Sequence, residues 1–276
     1  MNETLYRVSA NPHVRDKSST QSIMLDVILA LLPATVFGIY IFGASAAVTI
    51  AVSIVTCVAA EYIYQKLMKQ KVSVSDLSAA VTGLLLALNL PAGVPLWMPV
   101  LGGLFAIIVV KQVFGGLGQN FMNPALGARC FLMISFAARM TTFTYDGVTT
   151  ATPLALLKAG KSVDLGSVFT GFIPGTIGET SAVLLLLGGA YLVLKKVISP
   201  LIPCIYVATV AVFVLLFGGH GFDLTYMASE IFSGGLMLGA IFMATDYVTS
   251  PITSRGKIIF GVLCGLLTGI FRLFGP

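Results

Sequence analysis

Polar side chains are sparse in this chain, so the places where they gather are the places where chemistry is possible. The densest gathering is Asp146, Gly147, Val148, Thr149, Thr150, Ala151, Thr152, Pro153 and Leu154, set between long apolar stretches. Thr152 followed by Pro153 predicts a helix start at Pro153: the hydroxyl caps free N–H groups and proline fits the first helical position. The same N–H groups suit an anionic group. A second patch is Gly178, Glu179, Thr180 and Ser181. It offers a close backbone approach, hydroxyl donors and a carboxylate that suits a helix dipole without any ligand. A third places two carboxamides, Asn120 and Asn123, in a glycine-rich segment before Pro124; capping of a broken helix is their simplest use. Asp26, Glu61 and Asp246 are acids at or within apolar runs. A carboxylate there is expensive unless it faces protein or water, which makes all three ion-path candidates and Asp246 the foremost. Cys57, Cys130, Cys204 and Cys264 are scattered without a C-x-x-C pair. Neither they nor His13 and His220 are expected to hold a metal or an iron–sulfur cluster.

The elements that must position these groups are membrane helices. Of 276 residues, 57% are hydrophobic and 10% charged, and the mean hydropathy is +0.97. A soluble domain is nearer one quarter charged, so the chain reads as an all-α polytopic membrane protein in contact with a lipid bilayer. The net charge of +5 does not indicate nucleic acid, because the basic residues cluster at the ends of apolar runs. Residues 1–21 are a polar arm without a signal-peptide core, and residues 1–276 read as one membrane domain. About nine spans are expected, near 23–43, 44–64, 77–93, 95–113, 125–138, 181–194, 198–217, 233–249 and 257–274. Pro33 predicts a kink, and breaks are expected at 89–91 and 244–246. Trp97 and Lys111 read as interfacial anchors of the fourth span. Residues 139–178 form a long connection, and 220–230 a polar one.

With the N-terminus in the cytoplasm, only Arg139, Lys158, Lys161 and Arg272 of the 16 basic residues fall outside. The other twelve fall inside, which fixes the orientation and places Thr152 on the extracytoplasmic face. Residues 83–88 and 235–240 echo each other, as do the fourth and ninth spans. That pairing predicts two inverted repeats of five spans, one span short at Pro276: either the protein continues or this member has lost that span.

The run from Asp146 to Thr152 resembles the Asp-x-x-(Ser/Thr)-x-Ala-Thr motif at which a flavin transferase attaches FMN to threonine through a phosphoester; Thr150 stands where Gly is common. Three further stretches extend the likeness: Asn11, Pro12 and His13 ahead of Ile23, Met24, Leu25 and Asp26; the 118–124 loop; and the Gly178 to Ser181 patch. With them the whole chain resembles the RnfD family of Rnf-complex membrane proteins, and the related NqrB component of the sodium-pumping NADH:quinone oxidoreductase.

The resemblance implies a urea-transporter-like fold of ten helices in two inverted repeats. It also implies a subunit, not catalytic alone, of a pump that moves electrons between ferredoxin and NAD+ and drives Na+ or H+ across a bacterial or archaeal cytoplasmic membrane. FMN would be esterified to Thr152, within the motif residues Asp146, Thr149 and Ala151. Phe143, Tyr145, Gly178, Glu179 and Thr180 would lie near the ring. Asn120 and Asn123 would hold a second, non-covalent flavin such as riboflavin. Partners would be the other Rnf components (RnfA, RnfB, RnfC, RnfE and RnfG) and a maturing flavin transferase, with no nucleic acid. A urea-type channel without a redox role would use the same spans.

Overall fold

The computed structural model describes residues 19–145, 148–179 and 181–275. Most of the polar arm, together with Asp146, Gly147 and Thr180, therefore lies outside the described residues.

Helix α1 (Thr20–Phe42) opens on a reciprocal cap between Ser19 and Ser22 and carries Pro33 inside it. Gly43, at φ 71°, ends α1 and starts α2 (Ala44–Leu67). A residue with a Cβ would be strained at that angle, so the hairpin turns on a glycine. Leu25, Leu29, Leu32 and Val36 remain exposed on α1. An outward face so apolar suits lipid and not water.

Next come α3 (Ser78–Leu88), α4 (Trp97–Leu104, continued by a π-helical stretch over Phe105–Gln112) and α5 (Pro124–Ser135). The short α6 (Ala137–Met140) leads to a small hairpin of β1 (Thr144–Tyr145) and β2 (Val148–Thr149), with Thr144 opposite Thr149. Two six-residue helices follow, α7 (Pro153–Lys158) and α8 (Leu165–Thr170). Then come α9 (Ala182–Leu194), α10 (Leu201–Phe217), α11 (Leu224–Phe232), α12 (Leu236–Leu238, continued by a π-helical stretch over Gly239–Met243) and α13 (Ser254–Phe274).

Among the described residues, α1, α2 and α13 are long and apolar enough to cross a membrane, and α11 with α12, bent by 65°, makes a fourth if taken as one span. The remaining apolar helices are shorter; α3, at 11 residues, is about half the length a bilayer demands. The chain is thus a multi-pass, mainly helical membrane protein. One expectation is corrected: the 220–230 stretch is not merely a polar connection but contains most of α11. Asp223 caps that helix by accepting from Thr225 and Tyr226 N–H, and its inner face buries Ser229, Glu230 and Ile231.

The core is built around α3, which is buried along nearly its whole length. A Cβ on Gly83 would stand 2.7 Å from Ile54 Cα of α2, so glycine is what allows these helices to touch. Gly261, Gly265 and Gly269 do the same between α13 and Ile205, Thr209 and Phe213 of α10. Small residues at i, i+4 and i+8 are a common way for membrane helices to gain contact where burial from water is unavailable.

Candidate functional site

Helix α3 stops at Asn89, and the strand-like segment before α9 crosses its end. Ile177 N–H donates to Leu90 O at 3.1 Å and Gly178 N–H to Leu88 O at 2.8 Å, and Pro91 bridges Thr176. These bonds satisfy backbone groups that a broken helix leaves open inside a bilayer. They also fix Glu179 beside the start of α12, where a Cβ on Gly235 would stand 2.9 Å from the Glu179 carboxylate.

Arg129, from the middle of α5, reaches the same place. Its guanidinium donates to Asn89 Oδ1 at 2.6 Å and lies 3.6 Å from Glu179. The ends of two broken helices are therefore held together by one arginine–glutamate pair.

This junction floors a cavity of about 540 Å³ whose wall includes Phe143, Thr150, Ala151 and Thr152, with Lys158 and Arg272 at its sides. Thr152 caps α7 as expected, accepting from Ala155 N–H at 3.3 Å; the residue is half-buried at the cavity wall. The structure therefore brings Thr152, Ala151, Phe143 and Glu179 to one cavity. It takes Tyr145 elsewhere, edge-on to Phe42, and Thr149 into the exposed hairpin. Gly178 packs into the core against Leu88 and Leu238. Asp146 and Thr180 lie outside the described residues.

Arg272 is buried, donating to Glu230 O and to Ser233 O (2.8 Å) and lying 3.6 Å from the Glu230 carboxylate. It thereby caps the last carbonyls of α11 at the bend into α12. Lys158 donates to Gly275 O at 2.9 Å.

A second cavity, about 100 Å³, contains Asn120, Asn123 and Asp246 with Ser78, Lys111 and Ile23 in its wall. It sits at the opposite end of α1 from the first. Ile23 and Met24 line it, whereas Phe42 meets Tyr145 beside the Thr152 loop. A helix of 23 residues separates those ends by about 34 Å. Asn123 caps α5, its Oδ1 accepting from Ala125 N–H at 3.0 Å, and Asn120 braces the turn before it by donating to Met122 O at 2.9 Å. Asp246 accepts from Thr249 at 3.0 Å. Drug-sized ligands occupy about 300–1,000 Å³, so this cavity is sized for a small ion and water unless it opens.

The other acids are already engaged. Glu61, fully buried, lies 2.7 Å from Lys111 Nζ, which also donates to Ser78 Oγ at 2.6 Å. This corrects the reading of Lys111 as an interfacial anchor: a lysine 2% exposed beside a carboxylate is an internal ion pair. Asp26 accepts from Tyr191 at 2.7 Å and faces Lys195 at 4.0 Å. Arg129 is likewise not a cytoplasmic cation. Setting aside Lys111, Arg129 and Arg272, which are committed inside the bundle, ten basic residues against three keep the same charge bias.

Sequence reasoning passed over Arg129, Lys158 and Arg272 as site residues. The available signal was Arg129 itself, a charge in the middle of an apolar run.

A model of the NQR2, RnfD, RnfE family matches residues 7–276. The chain is similar to the RnfD-type component of the Na(+)-translocating ferredoxin:NAD(+) oxidoreductase complex of Acetobacterium woodii, 52% identical over 284 residues that cover 100% of this chain and 87% of the relative. It is similar to the corresponding component of the proton-translocating ferredoxin:NAD(+) oxidoreductase complex of Clostridium ljungdahlii, 41% identical over 99% of this chain and 88% of the relative. The equivalent component of the ion-translocating oxidoreductase complex of Halorhodospira halophila is 35% identical, over 96% and 86%.

Proposed function

The chain belongs to the NQR2, RnfD, RnfE family, and on that premise we propose that it is a membrane subunit of an ion-translocating ferredoxin:NAD+ oxidoreductase. In this role it carries FMN on Thr152 and relays electrons while Na+ or H+ crosses the membrane. The observation that carries the flavin reading is the cavity of about 540 Å³ walled by Thr152 and bordered by Arg129, Lys158 and Arg272. Its volume is of the size a flavin needs, and its cations suit a phosphate and an electron-rich ring. FMN bound there would supply reversible electron uptake. The chain's own residues then have separable tasks. Thr152 offers the ester oxygen, and that oxygen keeps a lone pair for its cap to Ala155 N–H. Ala151 leaves the acceptor accessible, while Phe143 and Ile173 provide apolar wall. Asp146 and Thr180 are assigned to the acceptor loop and the ring surroundings by the motif alone.

The same premise makes the ends of the bundle unequal. Thr152 is assigned to the extracytoplasmic face, supported by the charge bias, and the cavity of Asn120, Asn123 and Asp246 to the cytoplasmic face. A riboflavin at those asparagines requires that cavity to widen or to be completed by another protein of the complex. Asp246, with no basic partner among the described residues within ion-pair distance, is the assigned ion-path group, ahead of the paired Asp26 and Glu61. Two inverted repeats are supported by the broken helices, α3 ending at Asn89 and the 65° bend between α11 and α12. The assembly has several different subunits, with RnfA, RnfB, RnfC, RnfE and RnfG as proposed neighbours and a flavin transferase acting during maturation.

The test is fluorescence of the denatured protein in a gel under ultraviolet light, which retains only covalent flavin. A fluorescent band that Thr152→Ala abolishes is expected. A dark wild-type band from a host possessing the transferase would overturn the flavin assignment and leave a membrane subunit of the complex without covalent flavin.

A further inference from the structure

We propose that Arg129 sets the reduction potential of the flavin in the Thr152 cavity, with Glu179 opposing it. This inference rests on the flavin reading above. Three cations border the cavity, and their surroundings separate them. Arg272 is 7% exposed and spends its guanidinium on Glu230 O, Ser233 O and the Glu230 carboxylate. Lys158 is exposed, bonded to Gly275 O, where water screens its charge.

Arg129 lies between these extremes. Its side chain is 29% exposed, so it is neither sealed nor solvated, and its counter-ion Glu179 is 10% exposed at 3.6 Å. That separation is looser than a close bidentate pair. Asn89 fixes the guanidinium at 2.6 Å, and Asn89 is itself anchored through its amide to Leu85 O at 2.7 Å. A charge held this way in a partly dry wall keeps its position whatever the redox state of its neighbour, and acts through a lower dielectric than a surface lysine does.

Next to Arg129 and Glu179, an isoalloxazine ring would gain one negative charge on net uptake of two electrons from the complex's redox chain and one proton from water. A fixed cation stabilises that reduced form over the neutral oxidised one, and an adjacent carboxylate does the reverse. Arg129 therefore raises the potential and Glu179 lowers it. A residue that merely supported the fold would not produce opposite signs from the two halves of one ion pair.

The experiment uses the full chain co-produced with a flavin transferase and purified in detergent, with spectroelectrochemical titration of the bound flavin at neutral pH. Gel fluorescence measures covalent loading separately. Arg129→Gln is expected to weaken the reduced form about tenfold, which for a two-electron couple is about 30 mV downward, at unchanged loading. Glu179→Gln is expected to move the potential upward, and Arg129→Lys to fall between wild type and Arg129→Gln. Should Arg129→Gln fail to fold, the upward shift in Glu179→Gln and the partial shift in Arg129→Lys decide the matter. Full loading with unmoved potentials, or shifts of the same sign in the arginine and glutamate variants, would overturn the role of Arg129 and leave the flavin in place. A dark wild-type band would remove the flavin reading and this inference with it.

Discussion

Glu61 and Lys111 form an ion pair of 2.7 Å between side chains 0% and 2% exposed, and burial decides what such a pair does. Removing one partner strands a charge in low dielectric, whereas removing both leaves an apolar site. Lys111→Met is expected to destabilise the protein by about 3–5 kcal/mol, read as a lower unfolding midpoint in detergent. The double variant Lys111→Met with Glu61→Leu should recover most of that loss. If the single variant unfolds like wild type, the pair is not the internal brace described here. At Asp164, outside the apolar spans, the Ser167 hydroxyl and then the Ser167 and Gly166 N–H groups hold the carboxylate below its usual range. A depressed folded-state value means that its contribution to α8 is present above the unfolded value and fades as pH falls through the folded one. Hydrogen exchange of residues 165–170, expressed relative to the intrinsic amide rate at each pH, should accelerate on acidification in wild type. In Asp164→Ala it should be faster at neutral pH and respond less to acid.

At the scale of elements, glycine spacing explains the close helix pairs. A Cβ on Gly265 would stand 2.5 Å from Thr209 Cβ. Gly265→Val is therefore expected to push α13 from α10 at a cost of about 1–3 kcal/mol, detectable as a lowered thermal midpoint, while a substitution at exposed Ile252 should leave it unchanged. The Thr152 cap and the break at Asn89 were legible in the sequence because each is a local signal, a cap before a proline and a polar residue close before one; the spacing of these glycines is as local but was not read. The two ion pairs were not, because Glu61 and Lys111 are 50 residues apart and only the packing of α2 against α4 joins them. Helix α11 was missed because the stretch opens on His220, Gly221 and Asp223 and reads as a loop, although Asp223 followed by Leu224, Met227 and Ile231 at helical spacing was there to be read. The Thr152 cavity was half legible. Its acceptor loop lies in one stretch, but Arg129, Lys158 and Arg272 come from three separate elements and meet only when the bundle closes.

For the whole molecule, the account separates two tasks by the length of α1. At one end Thr152 stands over an arginine–glutamate junction, where the flavin is proposed, and at the other Asp246 and two asparagines share a smaller cavity, where the ion is proposed. On that proposal, an electron arriving at one end changes the potential felt by an ion at the other through an apolar helical bundle, whose dielectric is lower than that of water. In the assembled complex, Asp246→Asn should reduce ion transport into vesicles several-fold while electron transfer from ferredoxin to NAD+ is retained when the membrane potential is collapsed. Equal loss of both would assign Asp246 to structure and not to the ion path. The central claim, however, is chemical. It is tested most directly by mass spectrometry of the peptide containing Thr152 from natively produced protein. The account predicts the mass of esterified FMN on that threonine and on no other hydroxyl of the peptide; an unmodified peptide, or a flavin on Thr149 or Thr150, would contradict it.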